Sequence, residues 1–197
     1  MLEVELKSVV HDMARRRAAI EAAGAILVFE GRLEDRRYDM ADRSLTARDH
    51  VLRVRIYRDA NEVRAELDFK GPTQLRDGYK EREELGAGVS DPDALIAILD
   101  RLGYVVTIAI DREIFQYELD GAVIRFEKYP RMDDLVEVEG QPDSIEQAII
   151  ALGLPRAGFL TDRLPDFARR FEERTGTFAA VSHAALAGNE RYDVSNA

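Results

Sequence analysis

Charged and apolar residues alternate along almost every strand-like stretch of this chain, and no other feature limits its possible folds as much. In Leu2-Glu3-Val4-Glu5-Leu6-Lys7 a β-strand sends Glu3, Glu5 and Lys7 to one face and Leu2, Val4 and Leu6 to the other. The pattern returns with Arg53 and Arg55 in Val51–Tyr57, and with Lys80, Arg82 and Glu84 in Tyr79–Leu85. After the hairpin signal Asp120-Gly121 it continues with Arg125 and Glu127, and then with Glu137 and Glu139. Hairpin-joined strands make an antiparallel sheet, in which one face is ordinarily apolar and the other solvated. Here the second face carries charges of both signs. Two arrangements satisfy this: a closed barrel with the charged faces inside, or an open sheet with helices on one side. A lumen lined by Arg, Lys and Glu is costly to desolvate unless it holds water, metal or an anionic ligand. In the barrel, the interior is therefore the functional site.

The spacing predicts helices over 11–23, 93–102, 144–152 and 165–174, with Asp12 and Ser90-Asp91-Pro92 as start signals and Gly24 and Gly103 as stops. With roughly eight strands and four helices the class is α+β. Tyr104–Tyr117 reads as one long strand or as two broken near Asp111, and 40–49 as a loop. The expected domain spans 1–175. From 176 to 197 the chain is rich in Ala, Gly and Ser and reads as a weakly ordered or partner-binding tail.

The chain has no cysteine, and its three histidines lie far apart, which argues against zinc, thiolate chemistry and disulfides. A net charge of −10 argues against nucleic acid as a partner, but a small polyanion remains compatible, because basic residues recur at alternate strand positions. No stretch reaches the length of a membrane span, and the first residues are charged where a signal peptide is apolar. The expectation is a cytoplasmic protein with no membrane partner. Glu3 and Glu5 suit a hard divalent cation and Lys7 the phosphate that the cation neutralises. A solvated strand face is the plain alternative.

Collected in order, these residues resemble the CYTH family, the triphosphate tunnel metalloenzymes, which include class IV adenylate cyclases, thiamine triphosphatases and inorganic triphosphatases. Glu3-Val4-Glu5-Leu6-Lys7 matches the family's ExExK signature. Tyr38-Asp39 with Leu45 and Leu52-Arg53-Val54-Arg55 resembles its YfD…L…LRxR block, and Lys70-Gly71-Pro72 its KGP strand end. Arg82 and Glu84 match the start of an RxExE strand, and Glu127 precedes an ExE written as Glu137-Val138-Glu139. The resemblance implies an antiparallel eight-stranded β-barrel with helices packed outside. It further implies Mg²⁺ or Mn²⁺ held by a subset of Glu3, Glu5, Glu127, Glu137 and Glu139. Phosphate oxygens fall to Lys7, Arg53, Arg55, Lys70, Arg82, Arg112 and Arg125. Glu3, Glu5 and Lys7 form the implied catalytic group.

The implied activity is metal-dependent hydrolysis of tripolyphosphate, a nucleoside triphosphate or thiamine triphosphate, by in-line attack of water on the terminal phosphorus. Class IV cyclase chemistry, from ATP to cyclic AMP and pyrophosphate, is the alternative, and a non-catalytic polyphosphate binder is a third. A homodimer is possible, and Arg15-Arg16-Arg17 is either a solvated helix face or a docking face for a second subunit.

Three positions depart from the family pattern. Ile114 stands where a second basic residue is usual after Arg112, Gly86 replaces the last acid of RxExE, and Asp162-Arg163-Leu164-Pro165 offers no Ser-Tyr pair. Some matched residues also have plainer roles: Lys70 as a solvated strand end, Arg125 as an ion-pair partner of Glu127, and Tyr38 as packing.

Overall fold

The computed structural model describes residues 2–189, with side chains from Val4 onward. Among these residues lie nine strands: β1 (Leu2–Val9), β2 (Ile26–Met40), β3 (Val51–Arg58), β4 (Val63–Lys70), β5 (Gln74–Arg76), β6 (Tyr79–Val89), β7 (Tyr104–Leu119), β8 (Ala122–Lys128) and β9 (Leu135–Glu139). The helices are α1 (Met13–Ala22), α2 (Pro92–Arg101), α3 (Pro142–Leu152), α4 (Leu164–Thr175) and α5 (His183–Leu186). The strands run in the order β1-β9-β8-β7-β2-β3-β4-β6, and β6 pairs back onto β1. Every pairing is antiparallel. This is a closed eight-stranded barrel, with β5 added outside it along β6. Of the two arrangements that the alternation allowed, the barrel is the one adopted.

Register fixes what meets inside. Glu5 stands opposite Lys80 on one side and Glu139 on the other. Lys7 faces Glu137, which faces Arg125 in turn. Across the barrel, Asp35 faces Arg55 and Arg53 faces Asp68. The opposite side of each strand packs against helices. Val4, Leu6, Ile124, Phe126 and Val138 meet Ile20 of α1 and Ile145, Ile149 and Leu152 of α3. Val54, Ile56 and Ala65 meet Leu99 of α2. Each such Val, Leu, Ile or Phe side chain contributes about 1.5–3 kcal/mol when fully buried.

Two apolar layers bound the charged interior. At one end Leu164, Phe167 and Ala168 of α4 pack with Ile110, Tyr129 and Leu135. Deeper in, Leu33, Tyr57 and Ile114 form a second layer from three adjacent strands. They share the inward side of their strands with Asp35, Arg55 and Arg112. Gly31 lets β2 and β3 approach here, since a Cβ at this position would lie 2.3 Å from the Arg58 carbonyl oxygen.

α1 begins at Asp12, whose carboxylate accepts the Arg15 N–H at 3.2 Å. β7 runs unbroken through Asp111, because that carboxylate accepts from Arg36 Nη1 at 2.8 Å and from the His183 N–H at 2.9 Å on the outer side. The segment expected as a tail enters here. Ala179–Ser182 are buried, the Asp111 N–H donates to Val181 at 2.8 Å, and Ala180 bridges to Arg131. The part of the expected tail at 190–197 lies outside the described residues. Among the described residues no helix is long and apolar enough to cross a membrane.

Candidate active site: a charged tunnel

The barrel encloses one cavity lined, among the described residues, by ten Lys and Arg side chains and five Asp and Glu. A chain of net charge −10 thus turns a cationic surface inward. Glu5, Lys7, Arg53, Arg55, Lys70, Arg82, Arg112, Arg125, Glu127 and Glu137, all singled out by sequence, line it together. Glu139 is half-buried beside Glu5 in the register. Glu3 stands opposite Arg82 on the backbone, and its side chain lies outside those described.

On the β1 side, Lys7 joins two carboxylates. Its Nζ is 3.2 Å from Glu5 Oε2 and also pairs with Glu137. Lys80 holds the other oxygen of Glu5, and Arg125 Nη1 donates to Glu137 at 2.9 Å. Burial pushes both carboxyls upward, yet the surrounding cations win. Lys7, Lys80 and Lys70 hold Glu5 well below the ordinary carboxylate range, and Lys7 and Arg125 hold Glu137 at about 2. Lys7 stays protonated because Glu137 and Glu5 more than offset its burial. Lys80 is shifted down instead, since burial and the neighbouring Lys7 outweigh its pairing with Glu5. The two carboxylates are therefore ionised at neutral pH.

On the β2 side, Asp35 is the hub. Its Oδ1 accepts from Arg55 Nε at 3.1 Å, and Oδ2 lies 3.1 Å from Arg112 Nη1 and 3.4 Å from Arg53 Nη1. Arg53 also donates to Asp68 from Nε and Nη2, at 3.1 and 2.7 Å. Glu127 has both oxygens engaged. Tyr129 donates its hydroxyl at 2.6 Å, and Arg112 Nε is 2.9 Å from Oε1, off the N–H direction and so a charge contact rather than a hydrogen bond. Arg125 pairs with Glu137 and Gln116. Lys70 is half-buried 3.4 Å from Glu84, not solvated at a strand end.

The departures from the family pattern find physical places. Ile114 belongs to the deeper apolar layer with Leu33 and Tyr57. Gly86 faces Asp68, and a Cβ there would lie 3.4 Å from Asp68 Oδ1; the carboxylate missing from β6 is supplied next door by β4. At the mouth, Arg82 donates from Nε to the Gly71 carbonyl and from Nη2 to the Asp49 carbonyl, both at 2.7 Å. Arg163 Nη2 donates to Asp49 Oδ1 at 3.0 Å.

Sequence reasoning missed Asp35, Arg37, Asp49, Lys80 and Arg163 as lining residues. For Lys80 the signal was present, since it shares a face with Arg82.

The oxygen-only donor set of Glu5, Glu137 and Glu139 fits a hard cation. Among the described residues no group of three potential ligand side chains is placed to hold a metal by itself. That suits Mg²⁺, which ordinarily takes one or two carboxylates and completes its shell with water and substrate phosphate.

A family model for the CYTH domain matches residues 1–149. None of the curated proteins matches the chain significantly. Among solved structures it is similar to a Pyrococcus horikoshii OT3 protein, at 24% identity and TM-score 0.67 over 82% of this chain and 94% of that one. A candidate adenylate cyclase from Vibrio parahaemolyticus superposes with TM-score 0.72 at 18% identity, over 85% and 97%. A candidate adenylyl cyclase from Hippeastrum, described as having a dominant triphosphatase activity, aligns with TM-score 0.61 at 16% identity, over 92% and 99%.

Proposed function

The chain belongs to the CYTH domain family, and from that premise we propose that its tunnel binds a triphosphate and hydrolyses it with the help of a divalent cation. One observation carries the proposal: a barrel cavity lined by twice as many cations as carboxylates, inside a chain that is acidic overall. Low-dielectric walls focus such a field and concentrate small anions. A triphosphate supplies the negative charge that the lining lacks.

Lys7, Lys80 and Arg125 form one wall against the phosphate oxygens, and Arg53, Arg55 and Arg112 the other. Arginine forks suit paired oxygens, and lysine acts as a point charge. Asp35 and Glu127 hold these guanidiniums in place, so the geometry exists before the ligand arrives. Glu5 and Glu139, with Glu3 and Glu137, are the residues to hold Mg²⁺ or Mn²⁺. Glu127, which meets Tyr129 and Arg112, is a further candidate for the same cation and also positions Arg112. A cation bound there supplies positive charge where the phosphate oxygens gain negative charge in the transition state. The tunnel walls themselves orient the chain of phosphates and limit access of bulk water. The activity named for the Hippeastrum protein supports hydrolysis over cyclisation.

The test is product analysis from ATP with Mg²⁺ and then Mn²⁺. Orthophosphate with ADP supports the proposal. Pyrophosphate with cyclic AMP makes the protein a cyclase. No product from ATP, tripolyphosphate or thiamine triphosphate leaves a binding module.

A further inference from the structure

The ion pair at the tunnel mouth differs in kind from those inside. Arg163, which directly precedes α4, places Nη2 3.0 Å from Asp49 Oδ1 and 3.4 Å from Thr73 Oγ1. Its side chain is 48% exposed and that of Asp49 33%, against 7% and 1% for Arg53 and Asp35. Exposed pairs hold weakly, because water screens them and long side chains must be ordered to form them. This pair can therefore be exchanged for a better one.

Asp49 has its own anchors. It adopts the left-handed conformation at φ 55°, and its Oδ2 accepts the Thr73 N–H at 2.6 Å. Its carbonyl accepts from Arg82, which also binds the Gly71 carbonyl. None of these bonds needs Arg163, so Asp49 stays in place when the guanidinium leaves. Arg163 lines the same cavity as the inner cations, together with Leu164 and Pro165.

We infer that Arg163 is a specificity-determining residue: it moves from Asp49 to the outer phosphate of the bound substrate, and Asp49 competes with that phosphate. The inference rests on the triphosphatase proposal above and adds to it a preferred substrate class. A terminal phosphate offers more charge and more oxygens than Asp49 does, where a single nitrogen makes the bond, and a guanidinium can take a phosphate two-pronged. In a nucleoside triphosphate the outer phosphate is esterified, carries less charge and brings a sugar to the place where Arg163 spans to Thr73. The mouth thus favours inorganic tripolyphosphate, which is charged at both ends.

The test uses tripolyphosphate and ATP as probes. Binding is titrated without divalent cation, so that turnover does not consume them, and kcat/KM is measured with Mg²⁺. Arg163→Ala is expected to weaken tripolyphosphate binding about tenfold, the loss of a hydrogen bond between charged groups, and ATP binding by less than about twofold. Asp49→Asn, whose amide oxygen can still accept the Thr73 N–H, is expected to tighten tripolyphosphate binding. A merely structural latch predicts the opposite sign for that variant. Unchanged binding in Arg163→Ala, equal loss for both probes, or weaker binding in Asp49→Asn overturns the inference, while wild-type turnover keeps the triphosphatase proposal standing. Wild-type protein that binds no tripolyphosphate overturns both.

Discussion

Asp35 and Arg55 face each other in register across β2 and β3 and join through a 3.1 Å hydrogen bond, with the Asp35 side chain 1% exposed. The same carboxylate also meets Arg53 and Arg112. One buried anion thus holds three guanidiniums in the tunnel wall. Replacing Asp35 with Asn leaves those charges short of a partner, and we expect destabilisation of about 3–5 kcal/mol. Urea unfolding of the metal-free protein checks this.

The same residue gives a pH dependence. Burial alone would raise its pKa, but Arg112, Arg55 and Arg53 hold it well below the ordinary value of 3.8. A carboxyl depressed on folding contributes stability that is present above its unfolded pKa and is lost as pH falls through its folded one. Wild-type stability should therefore fall below about pH 4 more steeply than that of Asp35→Asn. Parallel acid limbs for the two proteins would contradict this.

Ile114 is fully buried against Leu33 and Tyr57. Ile114→Ala should cost about 2–5 kcal/mol through the cavity it leaves. Its side chain carries no group that can bind phosphate or metal, so kcat at a temperature where the variant is folded should change little. A large fall in kcat without a fall in stability would place Ile114 in the chemistry instead.

Much of this architecture is legible in the sequence because hydropathy alternates cleanly wherever one strand face is apolar. Leu6, Val54 and Val138 mark outward faces, so the alternation already puts Lys7, Arg53 and Glu137 on inward ones, where they line the tunnel. The pattern fails over Glu34-Asp35-Arg36-Arg37, where both faces are charged. Asp35 points into the tunnel and Arg36 binds Asp111 outside, so period two disappears over this part of a 15-residue strand. β5 is three residues long, and too short to show a period. Arg163 and Asp49 lie in loops, where only tertiary packing decides what they meet. The docking of Ala179–Ser182 depends on Asp111 and Arg131, far away in sequence.

Tripolyphosphate affinity should fall as salt rises. Attraction of an anion into a cationic tunnel is partly long-range and is screened over about 10 Å at 0.1 M salt. KM measured from 0.05 to 0.5 M salt (on the order of one Debye length shrinking by about a factor of three) should increase several-fold, with kcat changing less. A KM independent of salt would argue against electrostatic capture.

The central claim is that Glu5, opposite Lys80 and Glu139, holds the cation used in hydrolysis. Its most direct test is orthophosphate release from tripolyphosphate under saturating Mg²⁺, for wild type and Glu5→Gln. Wild type should release orthophosphate only when the metal is present. The variant should lose at least about a hundredfold in kcat, the scale set by losing one preorganised electrostatic contact, while still binding tripolyphosphate without metal. Equal release by both proteins, or release by wild type in the presence of a chelator, would contradict the account.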